Sequence, residues 1–253
     1  NQTYRDFEFI LMDDASKDRT ASLCRGYQKK DPRIRFYSNR ENLGLTASLN
    51  KGIALAKGKW IARMDSDDVS VPERFEKQMA FLKKNPAVKL LGTRGYMVDE
   101  EGKRLSLIAT PLKDKEIRRS LFSDNAVIHS SVIFEKKAAM ECGLYDKDFL
   151  RAQDYEFWCR ILLFHQGANL EAPLICWRKN GEGISVSRLQ EQRLFADAVI
   201  GRYEALFQRM EKFKGTGQEK KYRLQTELME LCCRRSPALF DLFFSQWKKR
   251  SLK

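Results

Sequence analysis

The sequence lacks any run of eighteen consecutive apolar residues, so it predicts no helix that crosses a membrane. Its first residues also lack the pattern of a secretory signal peptide. Only two histidines occur and the six cysteines form no Cys-x-x-Cys pair, which argues against a zinc site and favours reduced cysteines in a cytosolic protein. The chain does not begin with methionine, so we expect that residues could be missing before Asn1.

The composition is that of an ordinary globular protein, with few glycines and prolines among 253 residues. This length allows one large α/β domain or two small ones, with enough buried area for a real core. The formal net charge of +13 favours an anionic partner. Nucleotide phosphates, nucleic acid and an anionic membrane surface all satisfy that condition.

An apolar run at residues 60–64 ends abruptly in carboxylates. The residues that follow it are Asp65, Ser66, Asp67 and Asp68. Open α/β sheets place their ligand sites where buried strands deliver polar side chains at their carboxyl ends. Crowded oxygen ligands suit Mg²⁺ or Mn²⁺, which would keep open positions for phosphate oxygens. The alternative interpretation is a polar turn that caps the helix beginning near Pro72.

A second acidic pair, Asp13 and Asp14, follows the strand predicted at residues 7–12. These carboxylates could accept hydrogen bonds from a base or a ribose, with Ser16 capping the next helix. The plainer interpretation is that Asp14, Ser16 and Asp18 only cap that helix. The alternation of strands and helices up to residue 64 predicts a parallel, right-handed βαβαβ unit. Both acidic clusters would then lie at one edge of one sheet, across one crevice.

The remaining periodicity predicts further elements. Helices are expected at 75–83, 114–122, 136–142, 154–164, 189–213 and 221–233, and strands at 88–98, 104–109, 127–134 and 173–178. The segment 239–250 is apolar and aromatic and then basic. It could lie on an anionic membrane, or it could pack as a helix on the rest of the protein.

Six stretches in one order resemble family 2 glycosyltransferases with the GT-A fold. They are Gln2–Glu8, Asp13–Thr20, Asn42–Gly52, Asp65–Asp68, His129–Val132 and Gln153–Trp158. The resemblance implies a GT-A catalytic domain at 1–187, which begins after the family's usual first strand, and a helical C-terminal extension at 188–253. The implied fold class is α/β, a Rossmann-like mixed and mainly parallel sheet flanked by helices.

The resemblance also implies an inverting transfer of a sugar from a UDP-sugar to an acceptor hydroxyl. Asp14, with Asp13, would hold the uridine. Asp67 would be the direct ligand of Mn²⁺ or Mg²⁺, and Asp65 would be a second ligand or contact the ribose or the sugar. Asp154 occupies the position of the catalytic base. The other positions implied at the nucleotide-sugar site are Asn42, Asn50, Arg63, Ser66, His129 and Arg178.

Several of these residues have a plainer interpretation or depart from the family pattern. Asp154 could be only a helix cap, His129 could be structural, and Trp158 is expected in the core. Gln153 stands where the family more often has Glu, so two carboxylates are not expected to act together there. Asn180 replaces a histidine that can assist at the metal, so no third protein ligand is expected.

The expected partners are a UDP-sugar and a saccharide or lipid-linked acceptor, as in bacterial surface-polysaccharide synthesis. The protein would be cytoplasmic, peripheral on the inner face of the plasma membrane through 239–250, and no nucleic acid is expected. One alternative is a non-catalytic basic module that binds nucleic acid or membrane; it explains the charge but not the acidic clusters. Another is a sugar-nucleotide nucleotidyltransferase, whose glycine-rich, basic nucleotide loop would lie near its first strand, in a region that this sequence does not include, so this alternative stays open.

Overall fold

The computed structural model describes residues 1–149, 151–179 and 193–201. Four of the sequence-based expectations lie outside these residues. They are Asn180 with the glycine-rich loop after it, most of the helix at 189–213, the helix at 221–233, and the segment 239–250.

The described chain alternates strands and helices. The strands are β1 (Phe9–Asp13), β2 (Ile34–Ser38), β3 (Trp60–Ala62), β4 (Val69–Ser70), β5 (Val88–Val98), β6 (Arg104–Ile108), β7 (Ile133–Glu135) and β8 (Gln166–Arg178). The helices are α1 (Thr20–Gln28), α2 (Leu45–Leu55), α3 (Arg74–Lys84), α4 (Asp114–Ser120), α5 (Lys136–Glu141) and α6 (Gln153–Phe164), with a 3₁₀ turn at His129–Ser131. Residues 193–201 are also helical.

The strands form two hydrogen-bonded sheets. β1 and β2 make a parallel pair, with Phe9 opposite Ile34 and Asp13 opposite Ser38. The other six strands form a mixed sheet in the order β3-β7-β5-β8-β4, with β6 also beside β5. Its longest pairing, β5 with β8, is parallel, whereas β3–β7, β5–β7, β5–β6 and β4–β8 are antiparallel. The predicted mixed α/β class is therefore confirmed.

The prediction of one continuous βαβαβ sheet is wrong in its third strand. Within the described residues β3 pairs with β7, antiparallel, and not with β1 or β2. Ile61 packs on the main core and Trp60 on a smaller apolar cluster, so β3 is anchored by burial on both sides. Element spacing predicts the strand, but it carries no information about which edge the strand joins.

Local hydrogen bonds also change one predicted element. The segment 127–134, expected as a strand, contains the 3₁₀ turn before β7 begins. Ser131 directs this change, because its backbone N–H (2.9 Å) and its hydroxyl (2.8 Å) both donate to the Ile128 carbonyl. Serine side chains often compete with strand pairing in this way.

Helix α6 lies at the centre of the main core. Phe157, Trp158 and Ile161 have no exposed surface, and Phe164 is half-buried. The expectation that Trp158 is a core residue is therefore confirmed. In the helix at 193–201, Val199 is buried in the same core, which confirms that part of the predicted helix at 189–213.

Candidate functional site

Asp65, the first carboxylate after β3, is held rigidly. Buried Arg63 donates from both ends of its guanidinium to the two Asp65 oxygens. Ser130, in the 3₁₀ turn, donates to Asp65 Oδ2 at 3.0 Å and accepts from the Asp65 N–H at 3.1 Å. The 3₁₀ turn and the end of β3 thus fix this carboxylate between them.

Asp67 differs from its acidic neighbours. Its side chain is exposed, as is that of Ser66, and its carboxylate makes no hydrogen bond or ion pair within the part of the chain that the structure describes. Asp68 is buried, with Oδ1 accepting from the Arg178 N–H at 2.8 Å and Oδ2 without a partner among the described residues. Burial raises the pKa of Asp68. Asp67 is therefore the carboxylate of this loop that is open to an external ligand.

Arg178 connects the loop Asp65–Asp68, called the acidic loop below, to the β5–β6 hairpin. Its Nε donates to the Asp67 carbonyl at 3.0 Å, and its Nη1 donates to the Asp99 carbonyl at 3.0 Å and to the Glu100 carbonyl. The guanidinium is thus occupied by backbone oxygens. Its predicted contact with phosphate stays a prediction.

Both carboxylate oxygens of Asp13 accept hydrogen bonds from other residues of the protein. One of its oxygens accepts from the Ser16 N–H at 3.1 Å and the other from the Ser38 hydroxyl at 2.8 Å, which joins the ends of β1 and β2. Burial acts to raise the pKa of Asp13, but these hydrogen bonds outweigh it and lower the pKa. Of the helix-capping roles considered for Asp14, Ser16 and Asp18, Asp18 accepts a hydrogen bond from the Thr20 N–H at the start of α1, at 2.9 Å.

Asp14 likewise holds a neighbouring loop. It accepts from Asn39 Nδ2 at 2.7 Å and from the N–H groups of Leu43 (2.9 Å) and Gly44 (2.8 Å), at the start of α2. Burial acts to raise the pKa of Asp14, and the bonds from Leu43, Asn39 and Gly44 reverse that effect and lower it. No hydrogen bond connects Asp14 with Asp65 or Asp67 within the described ranges, so its role at the nucleotide stays a prediction.

The two asparagines implied at the site make internal contacts. Exposed Asn42 accepts from the Gly44 N–H at 3.1 Å. Asn50 on α2 donates to the Tyr145 carbonyl at 2.9 Å and accepts from the Tyr145 N–H at 3.0 Å. These two hydrogen bonds of Asn50 connect α2 to the segment that precedes α6.

Asp154 lies in the first turn of α6 and is half-buried. Its Oδ2 accepts a hydrogen bond from Asn125 Nδ2 at 2.8 Å. Burial raises the pKa of Asp154, and the opposing influences of the Tyr155 N–H, the Arg63 charge and Asn125 do not cancel that effect. A carboxylate with a raised pKa is suited to accept a proton.

His129 packs beside this carboxylate's helix. Its Nε2 lies 2.9 Å from the Tyr145 hydroxyl, and its ring meets that of Trp158 edge-on at 5.7 Å. Burial and the Arg63 charge lower the pKa of His129, so the ring is neutral at physiological pH. Sequence reasoning missed Tyr145 and Asn125, because nothing in their local sequence marks them and their partners are distant in the chain.

The charges of Asp65 and Asp154 both influence one buried side chain, Tyr145. Burial raises the pKa of Tyr145, and the charges of both Asp154 and Asp65 raise it further, against the opposing charge of Arg63. Ser130, which hydrogen-bonds Asp65, and His129, which contacts Tyr145 and Trp158 of α6, are neighbours in the 3₁₀ turn. This turn therefore connects the surroundings of Asp65 and Asp154, which are 89 positions apart in the sequence. The structure brings Asp65, His129 and Asp154 into one site, and it leaves Asp13 and Asp14 in the β1–β2 sheet.

Backbone conformations with positive φ occur close in sequence to Asp14, Tyr145 and Asp154. Within the described residues three non-glycine residues have positive φ: Ala15 (61°), Leu144 (61°) and Ala152 (60°). They lie one or two positions from Asp14, Tyr145 and Asp154. Such conformations cost free energy and accumulate where a site requires a particular side-chain direction.

The described residues contain no group of three or more His, Cys, Asp or Glu side chains arranged to hold a metal. A cation here would depend on Asp67 and on oxygens from outside the protein, which is how Mg²⁺ usually meets nucleotide phosphates. No helix of the described chain is both long and apolar enough to span a membrane.

Comparisons with known proteins show the family of the chain. The family model for glycosyl transferase family 2 matches residues 1–143. An uncharacterised glycosyltransferase of Methanocaldococcus jannaschii is 34% identical over 199 residues, which is 78% of this chain and 68% of that protein. The amylovoran biosynthesis glycosyltransferase AmsE of Erwinia amylovora is 36% identical over 149 residues, covering 58% of this chain and 55% of AmsE.

Two solved structures share the fold. S. aureus TarS 1–349 in complex with UDP-GlcNAc has a TM-score of 0.61 at 16% identity and covers 96% of this chain and 76% of that chain. GalNAc-T7 with UDP, GalNAc and Mn²⁺ has a TM-score of 0.56 at 15% identity and covers 75% of this chain and 41% of that chain.

The mixed sheet flanked by helices matches the GT-A fold of glycosyltransferases. The chain belongs to glycosyl transferase family 2, a family of enzymes. This assignment replaces the two alternatives considered from the sequence, the non-catalytic basic module and the sugar-nucleotide nucleotidyltransferase.

Proposed function

We propose that this chain is an inverting, metal-dependent glycosyltransferase that moves a sugar from a UDP-sugar to an acceptor hydroxyl. The observation that carries the proposal is the 3₁₀ turn that links the two carboxylates: Ser130 hydrogen-bonds Asp65, and the adjacent His129 packs on Trp158 of α6, whose first turn contains Asp154. One site then contains a carboxylate suited to take a proton and a second, exposed carboxylate suited to a cation. General-base catalysis beside a charged leaving group requires this division of roles.

The proposed donor is a UDP-sugar. TarS, which shares the fold, has been solved with UDP and with UDP-GlcNAc. Asp65 is the first candidate to contact the ribose or the sugar, because Arg63 and Ser130 hold its carboxylate while leaving it partly exposed. Asp14, Asp13, Asn42 and Asn50 are proposed to shape the uridine side mainly through the loops that they fix.

The proposed metal ligand is Asp67, and the cation is Mn²⁺ or Mg²⁺. Exposure and the absence of a protein partner for Asp67 in the described chain favour it over Asp65, whose oxygens Arg63 already engages. Of the two fold neighbours, GalNAc-T7 was solved with Mn²⁺. When bound, the cation would neutralise charge on the departing diphosphate.

The proposed base is Asp154. The acceptor oxygen attacks the anomeric carbon, the bond from that carbon to the UDP oxygen breaks, and the acceptor's proton passes to Asp154. Asn125 holds Oδ2, which keeps the carboxylate oriented while Oδ1 can receive the proton. A single displacement of this kind inverts the anomeric configuration. Neutral His129, whose Nε2 contacts the Tyr145 hydroxyl, is proposed to hydrogen-bond a sugar hydroxyl.

The proposed pathway is polysaccharide or glycolipid synthesis, with a saccharide or lipid-linked acceptor. Its support is the role of AmsE in amylovoran biosynthesis. An anionic membrane surface, met through 239–250 on the cytoplasmic side, is proposed from charge alone. Deleting 239–253 should weaken binding to vesicles that contain anionic lipid, and unchanged binding would contradict the membrane contact.

The proposal is tested by incubating the full chain with a panel of UDP-sugars and Mn²⁺. The released UDP identifies the donor, and NMR of the transferred sugar gives the anomeric configuration. Inversion is expected. Retention of configuration would contradict the role of Asp154 as base, and release that does not depend on metal would contradict the role of Asp67.

A further inference from the structure

Arg74, near the start of α3, is a fully buried cation. None of its surface is exposed, and no carboxylate forms an ion pair with it among the residues that the structure describes. Its Nη2 instead donates to the backbone carbonyls of Arg63 (3.2 Å) and Val132 (3.1 Å). The charge of buried Asp68 acts favourably on Arg74 without forming an ion pair with it, and it does not offset the free-energy cost of burying the guanidinium.

Gln78, one helical turn further along α3, completes the arrangement and is also fully buried. Its Oε1 accepts from Arg74 Nε at 3.0 Å. Its Nε2 donates to the carbonyls of Leu91 (3.2 Å) and Ser131 (2.9 Å). The two side chains thus bind four backbone carbonyls on three separate segments of the chain.

Three of the four carbonyls belong to the two segments of the chain that hold Asp65. Arg63 is the residue whose side chain grips Asp65, and Ser131 follows the serine that hydrogen-bonds Asp65. The Arg63 N–H also donates to the Val132 carbonyl at 3.1 Å, so Arg74 meets an oxygen that already joins the two segments. Any shift of this backbone would move Asp65 and the acidic loop that continues from it.

We propose that Arg74 is a positioning residue of the donor site, which with Gln78 fixes the backbone behind Asp65 and Asp67 for binding of a metal-bound diphosphate. The inference rests on the proposed function. Arg74 does not touch the substrate and acts only through the main chain. It is therefore expected to affect donor binding more than the proton transfer at Asp154, whose helix it does not hydrogen-bond.

The test uses the full chain and isothermal titration with UDP in the presence of Mn²⁺, at a temperature where thermal scans show each variant folded. Arg74→Met should weaken UDP affinity about tenfold or more, the range seen for residues that orient metal-site ligands. The rate at saturating donor should fall less than threefold. Arg74→Lys, which retains the charge and one donor direction, should recover part of the affinity.

One further variant is a control, and another is a second test of the proposal. Lys83→Met removes the same charge from an exposed position of the same helix and should leave the affinity unchanged. Gln78→Met removes the Leu91 and Ser131 anchors without a change in charge and should weaken affinity at least threefold; this variant decides the question if Arg74→Met does not fold.

A folded Arg74→Met protein, or in its place Gln78→Met, that binds UDP within twofold of the wild type would overturn this inference alone. Equal losses of affinity and of the rate at saturating donor would also overturn it, because they indicate a general structural defect. Absence of metal-dependent UDP binding in the wild type would instead overturn the proposed function, and this inference with it.

Discussion

Two regions of the molecule, the β1–β2 sheet with Asp13 and Asp14 and the candidate site with Asp67 and Asp154, hold these carboxylates in opposite environments. In the β1–β2 sheet, both oxygens of Asp13 and both oxygens of Asp14 accept hydrogen bonds from nearby residues of the same chain, and the pKa of each carboxyl group is lowered. In the second region Asp67 is exposed without a partner in the described chain, and burial raises the pKa of Asp154. Carboxylates that are fully hydrogen-bonded hold a fold together, whereas those left unsatisfied are available for chemistry.

The largest expected effect is that of Asp154→Asn. Removing the proposed base should lower the transfer rate about a thousandfold, within the range for general-base catalysis. UDP affinity should stay within twofold, because Asp154 is not on the acidic loop. Initial rates and titration calorimetry measure the two quantities. Asp124→Asn changes a nearby exposed acid and is the matched control; an equal loss of rate and affinity in Asp154→Asn would mean that the residue is structural.

Asp67→Asn should have the next largest effect. We expect metal-dependent UDP affinity to fall by about a hundredfold, at the upper end of the losses seen when metal-site groups are changed. Thermal stability should not change, because the exposed carboxylate has no partner in the described structure. Asp18→Asn, an exposed acid of the β1–α1 loop, is the control. UDP binding by Asp67→Asn that remains metal-dependent would move the metal site to another residue.

The pH dependence of transfer distinguishes Asp154 from Asp13 and Asp14 in a third way. Asp154 must be deprotonated to act as base, and its pKa is raised by burial. The rate should therefore fall tenfold for each pH unit below that raised pKa, and the fall should begin above the usual aspartate value of about 3.9. A pH profile at saturating donor measures this. A rate that stays level down to pH 4 would contradict the assignment.

The smallest effect is expected in the β1–β2 sheet. Asp14→Asn should lower the free energy of unfolding by about 1–3 kcal/mol at pH 7, because three hydrogen bonds to a charged acceptor are weakened. The folded-state pKa of Asp14 is lowered, so this stabilisation is present above the unfolded-state pKa and is lost as pH falls through the folded-state pKa. Urea unfolding at pH 7 and pH 3 measures the difference between variant and wild type.

The same experiment on Asp154→Asn should show the opposite sign. Its folded-state pKa is raised, so its contribution to stability is present below the unfolded-state pKa and is lost as pH rises through the folded-state pKa. At neutral pH the substitution should therefore leave stability unchanged or increased. Destabilisation at neutral pH in both Asp14→Asn and Asp154→Asn would remove the proposed distinction between these two carboxylates.

Much of the secondary structure followed from local pattern. The strand predicted at 88–98 has those bounds in the structure, the hairpin after it returns through β6, and α6 covers the helix predicted at 154–164. These segments are long and strongly periodic, so their own residues decide their conformation. The site was less accessible to sequence reasoning. Asn125 and Tyr145 reach Asp154 and His129 across 29 and 16 residues, and Arg74 and Gln78 act on carbonyls that have no sequence signature.

The sequence by itself determined the α/β class, most of the elements and the resemblance to family 2, because periodicity, turn residues and acidic motifs are local properties of the chain. Only the tertiary structure decided which strand β3 joins, which carboxylates are satisfied and which buried side chains support the acidic loop. Hydrogen-bond satisfaction and burial depend on residues that are distant in the chain, and those neighbours are chosen only when the sheets and helices pack.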